Sequence, residues 1–370
     1  MASASPPCNP GDLDGNGQVD VFDLLELLEN WGSDGDTPAD LNGDGVVDVF
    51  DLLLLLEAWG PTPYAAGGFP DRWISGGPAC GAEPVIQVHE YNKNFYILRQ
   101  SLCTNFEAPF IYLIFGEDKV LMQDTGAGGI PIAQTVYSII DEWLLRNEQE
   151  SIELIVSHSH GHGDHIAGNS QFVHQPFTTM TGTSQSAVRN FFGIDDWPND
   201  IVEYDLGGRI VDVIPIPGHQ AAHIALYDRE TGILFTGDSL YPGRIYISNF
   251  SQFVTSIGRL IDFTLDNPIC WVLGTHIEMT NTPGQDFPFG ATHHPNEREL
   301  ELTVGHLEEL YGELLAMNGV PQYKVLDDFI IFPLSGAATS ASGNGRTDDC
   351  CDRPKNVFEL RQAFRALENR

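Results

Sequence analysis

The sequence predicts a layered α/β domain that follows a small, all-α, EF-hand-like module. Between residues 80 and 335, apolar runs rich in β-branched and aromatic residues, such as 110–115 (FIYLIF) and 152–156 (IELIV), alternate with helical stretches near 131–146 and 296–316. Strands at this density with interleaved helices are typical of layered α/β domains. Upstream of them, an acidic sequence followed by a short apolar segment occurs twice, which indicates a duplicated loop-and-helix unit.

The charge balance argues against nucleic acid as a substrate or partner. The chain has 370 residues, 42% of them hydrophobic, and 52 acidic side chains against 18 basic ones. A net charge of −34 repels phosphate backbones and anionic membrane surfaces. The longest apolar run, Leu52–Leu56, is far shorter than the ~20 residues that span a bilayer, so we expect no membrane span. The N-terminus lacks a basic region followed by an apolar core, so no signal peptide is visible in this sequence.

The chain divides into four predicted segments. Residues 10–60 contain the repeat pair, and the Pro- and Gly-rich stretch 61–79 is predicted to be a linker. The α/β domain occupies 80–335, and 336–370 comprises a Ser/Gly-rich linker and an amphipathic C-terminal helix, Val357–Arg370. The six cysteines form no CxxC pair, so the sequence leaves their disulfide state open.

Both copies of the acidic repeat have the spacing of an EF-hand-type loop. Such a loop places oxygen ligands at positions 1, 3, 5, 7, 9 and 12, with glycine at position 6 for the sharp turn. Residues 1–64 hold 13 acidic side chains and no Lys or Arg, so a bound cation is the obvious counter-charge. The alternative is a pair of Asx-rich turns without metal. The predicted calcium ligands are Asp12, Asp14, Asn16, Gln18, Asp20 and Asp23 in the first copy and Asp40, Asn42, Asp44, Val46, Asp48 and Asp51 in the second, with Gln18 and Val46 ligating through backbone carbonyls.

A loop followed by one helix, duplicated and joined by a linker to a larger domain, resembles a type I dockerin module across about residues 10–60. The resemblance implies two calcium ions, calcium-dependent folding, a cohesin-like protein partner and a secreted or cell-surface location. Dockerins often carry Ser-Thr just before the twelfth loop position as partner-facing residues, where this chain has Val21-Phe22 and Val49-Phe50. These apolar pairs suit a protein partner, and the alternative is that they pack inside the module.

A dense cluster of metal-ligand residues follows the predicted strand 152–156. The segment SHSHGHGDH fits the pattern His-x-His-x-Asp-His in only one register. That register selects His160, His162, Asp164 and His165. His158 falls outside it and is predicted to support the ligands or the fold. Imidazoles and a carboxylate crowded onto one loop favour zinc or a similar metal.

Three more ligand-type residues follow in order, each after a predicted strand and beside a glycine. They are His219 (PGH), Asp238 (TGD) and His276 (GTH). Together with Asp124 (DTG) near the start of the domain, this ordered set resembles the metallo-β-lactamase superfamily across residues 85–335. The resemblance implies an αββα sandwich with the site at one edge of two packed sheets.

The resemblance also implies a site for two zinc ions or similar divalent transition metals. One metal takes His160, His162 and His219, the second takes Asp164, His165 and His276, and Asp238 bridges the two together with a water. Hydroxide derived from this water is the expected nucleophile. Asp164 is a further catalytic candidate, because its carboxylate can orient the nucleophile or pass a proton to the leaving group.

Asp238 narrows the class of small-molecule substrate. Zinc β-lactamases of the superfamily typically carry Cys or Ser at this position, whereas an Asp is similar to the glyoxalase II, lactonase and phosphodiesterase branches. Tyr241 lies where lactonases carry a Tyr that contacts the substrate carbonyl, and the alternative is a Tyr packed in a turn. Arg244 is the one obvious cation near the site for a glutathione carboxylate, which disfavours glyoxalase II.

We therefore expect a hydrolase of esters, lactones or thioesters, joined to a calcium-dependent interaction module. Three alternatives stay open at this point. The domain could instead be a β-lactamase or a phosphodiesterase of the same fold, or the chain could be a scaffold-binding protein with a vestigial hydrolase domain.

Overall fold

The structure, a computed structural model, describes residues 11–14, 18–33, 37–42, 44–62 and 64–334. The predicted ligand Asn16 and the predicted C-terminal helix lie outside these ranges. The N-terminal module contains β1 (Gln18–Val19), α1 (Val21–Glu29), α2 (Val49–Glu57) and β2 (Gly60–Pro61). Next come β3 (Ile86–Asn92), β4 (Phe95–Gln100), β5 (Phe110–Phe115), β6 (Lys119–Gln123), α3 (Ile132–Arg146), β7 (Glu153–Ser157), α4 (Gly163–Ile166), β8 (Thr178–Met180) and α5 (Gln185–Phe192). The remaining elements are β9 (Val202–Asp205), β10 (Ile210–Pro215), β11 (Ile224–Asp228), β12 (Ile233–Gly237), β13 (Arg244–Ile247), α6 (Phe250–Thr264), β14 (Trp271–Gly274), β15 (Glu301–Leu302), α7 (Val304–Ala316), β16 (Lys324–Val325) and β17 (Ile330–Pro333).

Each helix of the N-terminal module begins at an aspartate cap. Asp20 caps α1 and Asp48 caps α2, and in each helix the aspartate three positions later accepts a hydrogen bond from the cap's backbone N–H. The β1 and β2 strands pair antiparallel, so the module is helical with a short closing strand pair rather than strictly all-α. Its small apolar core consists of Leu13, Val19, Leu27, Ala39, Val47 and Leu55.

The two Val-Phe pairs of the repeat lie on the surface of the module. Phe22 is 61% exposed and Phe50 is 60% exposed, and Val21 and Val49 are about half exposed. The interpretation in which these pairs pack inside the module is therefore wrong. Large apolar side chains therefore remain exposed at corresponding positions of the two helices, Phe22 in α1 and Phe50 in α2.

The first sheet of the larger domain has the strand order β3-β4-β5-β6-β7-β8. Its first four strands pair antiparallel, whereas β7 runs parallel to β6 and to β8. A parallel neighbour requires a crossover, which α3 provides between β6 and β7. Val136, Ile140 and Trp143 of α3 are buried against one face of this sheet.

The second sheet has the order β15-β14-β12-β11-β10-β9. Its only parallel pair is β12 with β14 within the described residues, and the connection between them contains α6. Phe253 and Ile257 of α6 pack with Leu307 and Leu310 of α7 on one face of this sheet. A small third sheet, β13-β17-β16, lies beside them.

Side chains from both large sheets meet in one central core. Phe95, Tyr112 and Ile114 from the first sheet belong to the same buried cluster as Val213 and Phe235 from the second. With α3 outside one sheet and α6 and α7 outside the other, the layers follow the order αββα. The predicted fold class is thus confirmed.

The stretch predicted as a linker contributes to this core. Trp73 is buried, and its ring lies 4.9 Å from that of Phe110, while Phe69 packs against the same cluster. A disulfide joins Cys80 to Cys103. The domain boundaries themselves stay predictions.

One predicted helix is shorter than expected. The stretch 296–316 was predicted to be helical, but α7 begins at Val304. Upstream of it, Leu302 pairs with Val272 as part of an edge strand, and Thr303 ends that strand by donating its N–H to His306 Nδ1 at 3.0 Å. Sheet pairing therefore overrides the helical composition of this segment. No helix in the described ranges combines the length and apolar character needed to cross a bilayer.

Candidate metal centre

Four of the predicted metal ligands lie on the loop and short helix that follow β7. The strand ends at Ser157, His162 precedes the first turn of α4, and Asp164 and His165 lie within that turn. His160 and His165 are buried, whereas His162 is exposed. His158 is buried as well, and its Nε2 lies 2.8 Å from Asn169 Oδ1 rather than among the ligands.

The other three candidates follow strands of the second sheet, where glycines allow close approach. A Cβ on Gly218, before His219, would lie 2.4 Å from the Cα of Phe253. A Cβ on Gly274, two residues before His276, would lie 2.3 Å from the Cβ of Tyr241. A side chain at either position would push these segments apart. Close packing around the site therefore requires glycine at both positions.

Three histidines form the first group of candidate ligands. His160 Nε2 lies 2.9 Å from His162 Nδ1 and 3.1 Å from His219 Nε2, and His219 Nε2 lies 3.0 Å from His162 Nδ1. Three ring nitrogens that converge in this way fit a single cation, because their lone pairs would otherwise face one another.

A second group contains Asp164, His165 and His276. Asp164 Oδ2 lies 3.3 Å from His165 Nε2 and 3.4 Å from His276 Nε2. Asp238 belongs to both groups: its Oδ2 lies 3.4 Å from the Nε2 atoms of His165 and His219, and its Oδ1 lies 3.4 Å from His276 Nε2. Each group of four offers ligand atoms that lie within 4.8 Å of one another.

Hydrogen bonds behind the site direct the imidazole lone pairs inward. His219 Nδ1 lies 2.6 Å from the Tyr246 carbonyl, and His276 Nδ1 lies 2.8 Å from the Glu107 carbonyl. A carbonyl only accepts, so each Nδ1 carries the proton and each Nε2 presents its lone pair to the site. Metal-binding histidines commonly donate the N–H of their other ring nitrogen to a carbonyl in this way. The residues present therefore fit a two-metal site.

Burial and the carboxylates set the protonation of the histidines. Burial holds the pKa of His160 well below its ordinary value, which favours the neutral imidazole that ligates metals. Burial also lowers the pKa of His276, but the carboxylates of Asp238 and Asp164 outweigh it and raise that pKa to about 9. As pH falls, protons therefore compete with metal cations for the second ligand group.

Tyr241 lies beside the site, but its hydroxyl points elsewhere. The phenol is buried, its ring lies 5.6 Å from that of His276, and its Oη donates to the backbone carbonyl of Arg244. Burial raises the pKa of Tyr241 well above its ordinary value, so this proton stays on the phenol. The geometry favours the turn-packing alternative, and a contact between Tyr241 and substrate stays a prediction.

A cavity of about 230 Å³ opens beside the two ligand groups. Besides ligand candidates and Tyr241, its lining includes Glu107, Tyr246, Glu278 and Leu334. None of these four was predicted as a site residue, because no motif marks them. Tyr246 and Glu107 are identified by their backbone carbonyls, which lie against His219 and His276. Only the fold reveals these contacts.

The described part of the calcium repeat brings several predicted ligands together. Oxygen atoms of Asp12, Asp14 and Asp23 lie within 4.8 Å of one another. Asp23 accepts hydrogen bonds from the N–H groups of Leu13 (2.7 Å) and Asp14 (3.1 Å). Gln18 lies in β1.

The second loop is arranged in the same way. Asp51 is buried and accepts the N–H groups of Asn42 (3.1 Å) and Asp48 (2.7 Å). Asp40 accepts the N–H of Asp44, whose own carboxylate accepts the N–H of Val46. Calcium binding at either loop stays a prediction.

Comparison with known families agrees with this architecture. Residues 104–317 match the family profile of the metallo-beta-lactamase superfamily, and the chain belongs to that superfamily. Residues 10–58 match the profile of the dockerin type I domain. Both predicted resemblances are thereby confirmed.

Individual relatives cover only part of the chain. A hydroxyacylglutathione hydrolase of Chromohalobacter salexigens is 32% identical over 161 residues, which is 42% of this chain and 58% of that protein. The acyl-coenzyme A thioesterase MBLAC2 of Homo sapiens is 28% identical over 186 residues, 41% of this chain and 67% of that protein. The chain spans about half the length of the hydroxyacylglutathione hydrolases that it matches. A metallo-beta-lactamase from Pontibacter korlensis is 17% identical, with a TM-score of 0.42 over 62% of this chain and 99% of that one.

Proposed function

We propose that the chain is a binuclear, metal-dependent hydrolase that acts on the acyl carbonyl of an ester, lactone or thioester. The observation that carries the proposal is the position of Asp238. Its Oδ2 lies 3.4 Å from His219 Nε2 in the first ligand group, and its Oδ1 lies 3.4 Å from His276 Nε2 in the second. A carboxylate shared by two ligand groups is what a two-metal hydrolytic site needs.

In this proposal each ion would have its own ligands and the two would share Asp238. His160, His162 and His219 would hold the first ion, and Asp164, His165 and His276 would hold the second. Imidazole-rich sets of this kind favour zinc. When bound, two divalent cations lower the pKa of water toward neutrality and polarise the substrate's carbonyl.

Asp164 and Asp238 have different parts in the mechanism. Thr275 Oγ1 donates a hydrogen bond to Asp238 Oδ1, which fixes that carboxylate between the ligand groups. The Asp164 side chain is 21% exposed and lines the cavity, so it can reach a substrate. Asp164 therefore orients the attacking group and passes a proton to the departing one.

The relatives favour a thioester within this substrate class. Two groups of them are named for hydroxyacylglutathione and for acyl-coenzyme A, and in both of these compounds the acyl group is joined to sulfur. The presence of an Asp at 238, rather than Cys or Ser, supports the same choice over a β-lactam. The net charge of −34 disfavours nucleic-acid phosphodiesters.

We further propose that residues 10–60 form a calcium-dependent module that tethers the hydrolase to a cohesin-like protein. The dockerin match and the exposed Phe22 and Phe50 side chains support a protein partner. A secreted or cell-surface location agrees with this module and with the disulfide between Cys80 and Cys103, because disulfides persist in oxidising compartments.

Metal content and a substrate panel test the hydrolase proposal. Elemental analysis of the full chain should give about two transition-metal ions per chain. The zinc-loaded chain is then assayed with a thioester, a lactone, nitrocefin and bis(p-nitrophenyl) phosphate, and we expect turnover of the first two.

Asp238→Ala should lose several kcal/mol of transition-state stabilisation, whereas the exposed Asp141→Ala should behave as the wild type. Full activity of Asp238→Ala would overturn the proposed site. Nitrocefin turnover without thioesterase or lactonase activity would overturn the proposed substrate class.

A further inference from the structure

The wall of the cavity beside the ligand groups is acidic. Glu107 and Glu278 line it together with the ligand candidates, Tyr241, Tyr246 and Leu334. Among the described residues of this lining there is no Lys or Arg. A substrate that enters the cavity therefore meets two carboxylates besides those of the ligands.

The guanidinium of Arg244 contacts Glu278 in this wall and is already paired with carboxylates. Arg244 Nη1 lies 2.9 Å from Glu278 Oε1, and Arg244 Nη2 lies 2.6 Å from Asp286 Oδ2 and also donates to the Phe287 carbonyl. One cation thus faces two carboxylates. Arg244 is not among the residues that line the cavity, and its guanidinium is already engaged by these contacts, so it is poorly placed to anchor a substrate's carboxylate.

Glu107 places a carboxylate at a fixed position in the wall of the cavity. Its backbone carbonyl accepts the hydrogen bond from His276 Nδ1 at 2.8 Å, which ties the loop to a candidate ligand. Its side chain is half-buried at the cavity. In the part of the chain that the structure describes, no donor is paired with the Glu107 carboxylate, in contrast to Glu278, which binds Arg244.

We infer that this cavity selects acyl substrates whose leaving group is uncharged or cationic and discriminates against leaving groups that carry a carboxylate, with Glu107 as the specificity-determining residue. The inference rests on the proposed hydrolase function and names its substrate class. Tyr246 lines the same cavity, and an aromatic side chain there can add attraction for an alkylammonium group. Glutathione and coenzyme A, which are both anionic, are therefore disfavoured leaving groups.

Three acetyl thioesters of similar size test this selection. Acetylthiocholine is cationic, S-acetyl-N-acetylcysteamine is neutral and S-acetyl-3-mercaptopropionate is anionic, and each releases a thiol that is measured in the same assay. For the zinc-loaded full chain we expect kcat/KM for the cationic compound to exceed that for the anionic one by about tenfold or more. The difference should shrink as salt is added, because screening weakens it.

The variant Glu107→Gln removes the charge and keeps the backbone contact with His276. In this variant, kcat/KM for the cationic compound divided by kcat/KM for the anionic compound should fall about fivefold or more. The change should arise mainly in KM. Glu142→Gln makes the same charge change at an exposed position of α3 outside the cavity lining and should leave the ratio unchanged. Zinc content, measured for each variant, shows that the site is intact.

A binding measurement supplies a readout besides turnover. The thioether analogues of the three compounds have no carbonyl to be attacked, and calorimetry should rank their affinities in the same order. Hydrolysis of the neutral and anionic thioesters at equal rates by the wild type, or an unchanged ratio in Glu107→Gln with normal zinc content, would overturn the inference while leaving the hydrolase proposal in place. Turnover of the thioester or lactone of the substrate panel, without hydrolysis of any of these three compounds, would overturn the inference alone. Absence of turnover with the panel as well would overturn the hydrolase proposal itself, and the inference with it.

Discussion

His165 Nδ1 lies 2.9 Å from Asp124 Oδ2, and both side chains are inaccessible to solvent. Asp124 also accepts hydrogen bonds from the backbone N–H and the hydroxyl of Ser159, each at 2.8 Å. The carboxylate therefore fixes the orientation of the imidazole and directs its Nε2 toward Asp164 and Asp238. Asp124 is thus a positioning residue for the second ligand group.

The first prediction concerns this pair. Asp124→Asn replaces a carboxylate with an amide that has one acceptor and one donor end, so it cannot accept from both the Ser159 backbone N–H, which meets Oδ1, and His165 Nδ1, which meets Oδ2. We expect the affinity for the second metal ion to fall about 10- to 100-fold, as for other outer-shell carboxylates. Chelator competition on the full chain measures this affinity. Asp141→Asn, on the surface of α3, is the matched control, and equal affinity in both variants would contradict the assigned role.

The second prediction concerns calcium. Asp23 is buried and accepts N–H groups from Leu13, Asp14 and Asp20, so it connects the two described parts of the first loop. Titration of the chelator-treated full chain should show two calcium ions bound, and Asp23→Ala should reduce this to one. Asp71→Ala, an exposed change in the following segment, should keep two. Two bound ions in Asp23→Ala would exclude the first loop as a site.

The third prediction concerns pH. Burial raises the pKa of Glu301 to about 7, well above the value of 4.5 for an exposed glutamate. Between these two values the folded chain binds more protons at this position than the unfolded chain, so the destabilisation by Glu301 grows as pH rises from 4.5 to 7 and is fully present above 7. Glu301→Gln should therefore raise stability at pH 8 by about 1–3 kcal/mol, and much less at pH 5.

Thermal unfolding of Glu301→Gln and wild type at the two pH values measures this difference. Glu299→Gln makes the same change at a neighbouring exposed position and should show little effect at either pH. An equal shift of Tm at pH 5 and pH 8 would mean that Glu301 titrates normally.

The fourth prediction concerns the disulfide between Cys80 and Cys103, which are separated by 23 positions in the sequence. Closing a loop of this length restricts the unfolded chain and contributes about 3 kcal/mol. The double variant Cys80→Ala, Cys103→Ala should therefore unfold roughly 5–10 °C lower than wild type. Calorimetry measures this change, and an unaltered Tm would show that the crosslink does not stabilise the native domain.

The ligand set could be predicted from the sequence because its chemistry is local. His160, His162, Asp164 and His165 fall within six positions, and glycines mark where His219 and His276 approach the same point. The central strands could be predicted for a similar reason: runs such as Phe110–Phe115 are buried along their whole length and read as continuous apolar segments.

The supporting residues could not be predicted, because they act through tertiary contacts. Tyr246 and Glu107 hold histidines with backbone carbonyls, and a carbonyl leaves no mark in the sequence. Tyr241 lines the cavity beside the site, but the direction of its hydroxyl depends on how the 241–244 turn folds back on itself. The edge strand at Glu301–Leu302 likewise depends on a partner, β14, that is distant in the sequence.

The division of the ligands between the two sheets has a consequence for biosynthesis. The loop after β7 supplies His160 to His165, whereas the ligands after β10, β12 and β14 leave the ribosome much later. Neither group of four is complete in a nascent chain that ends before Asp238, and the second group also needs His276. We therefore expect stable metal loading to be a late, post-translational event that follows the docking of the second sheet onto the first, so that a metal-loaded chain would be one whose two halves have already assembled.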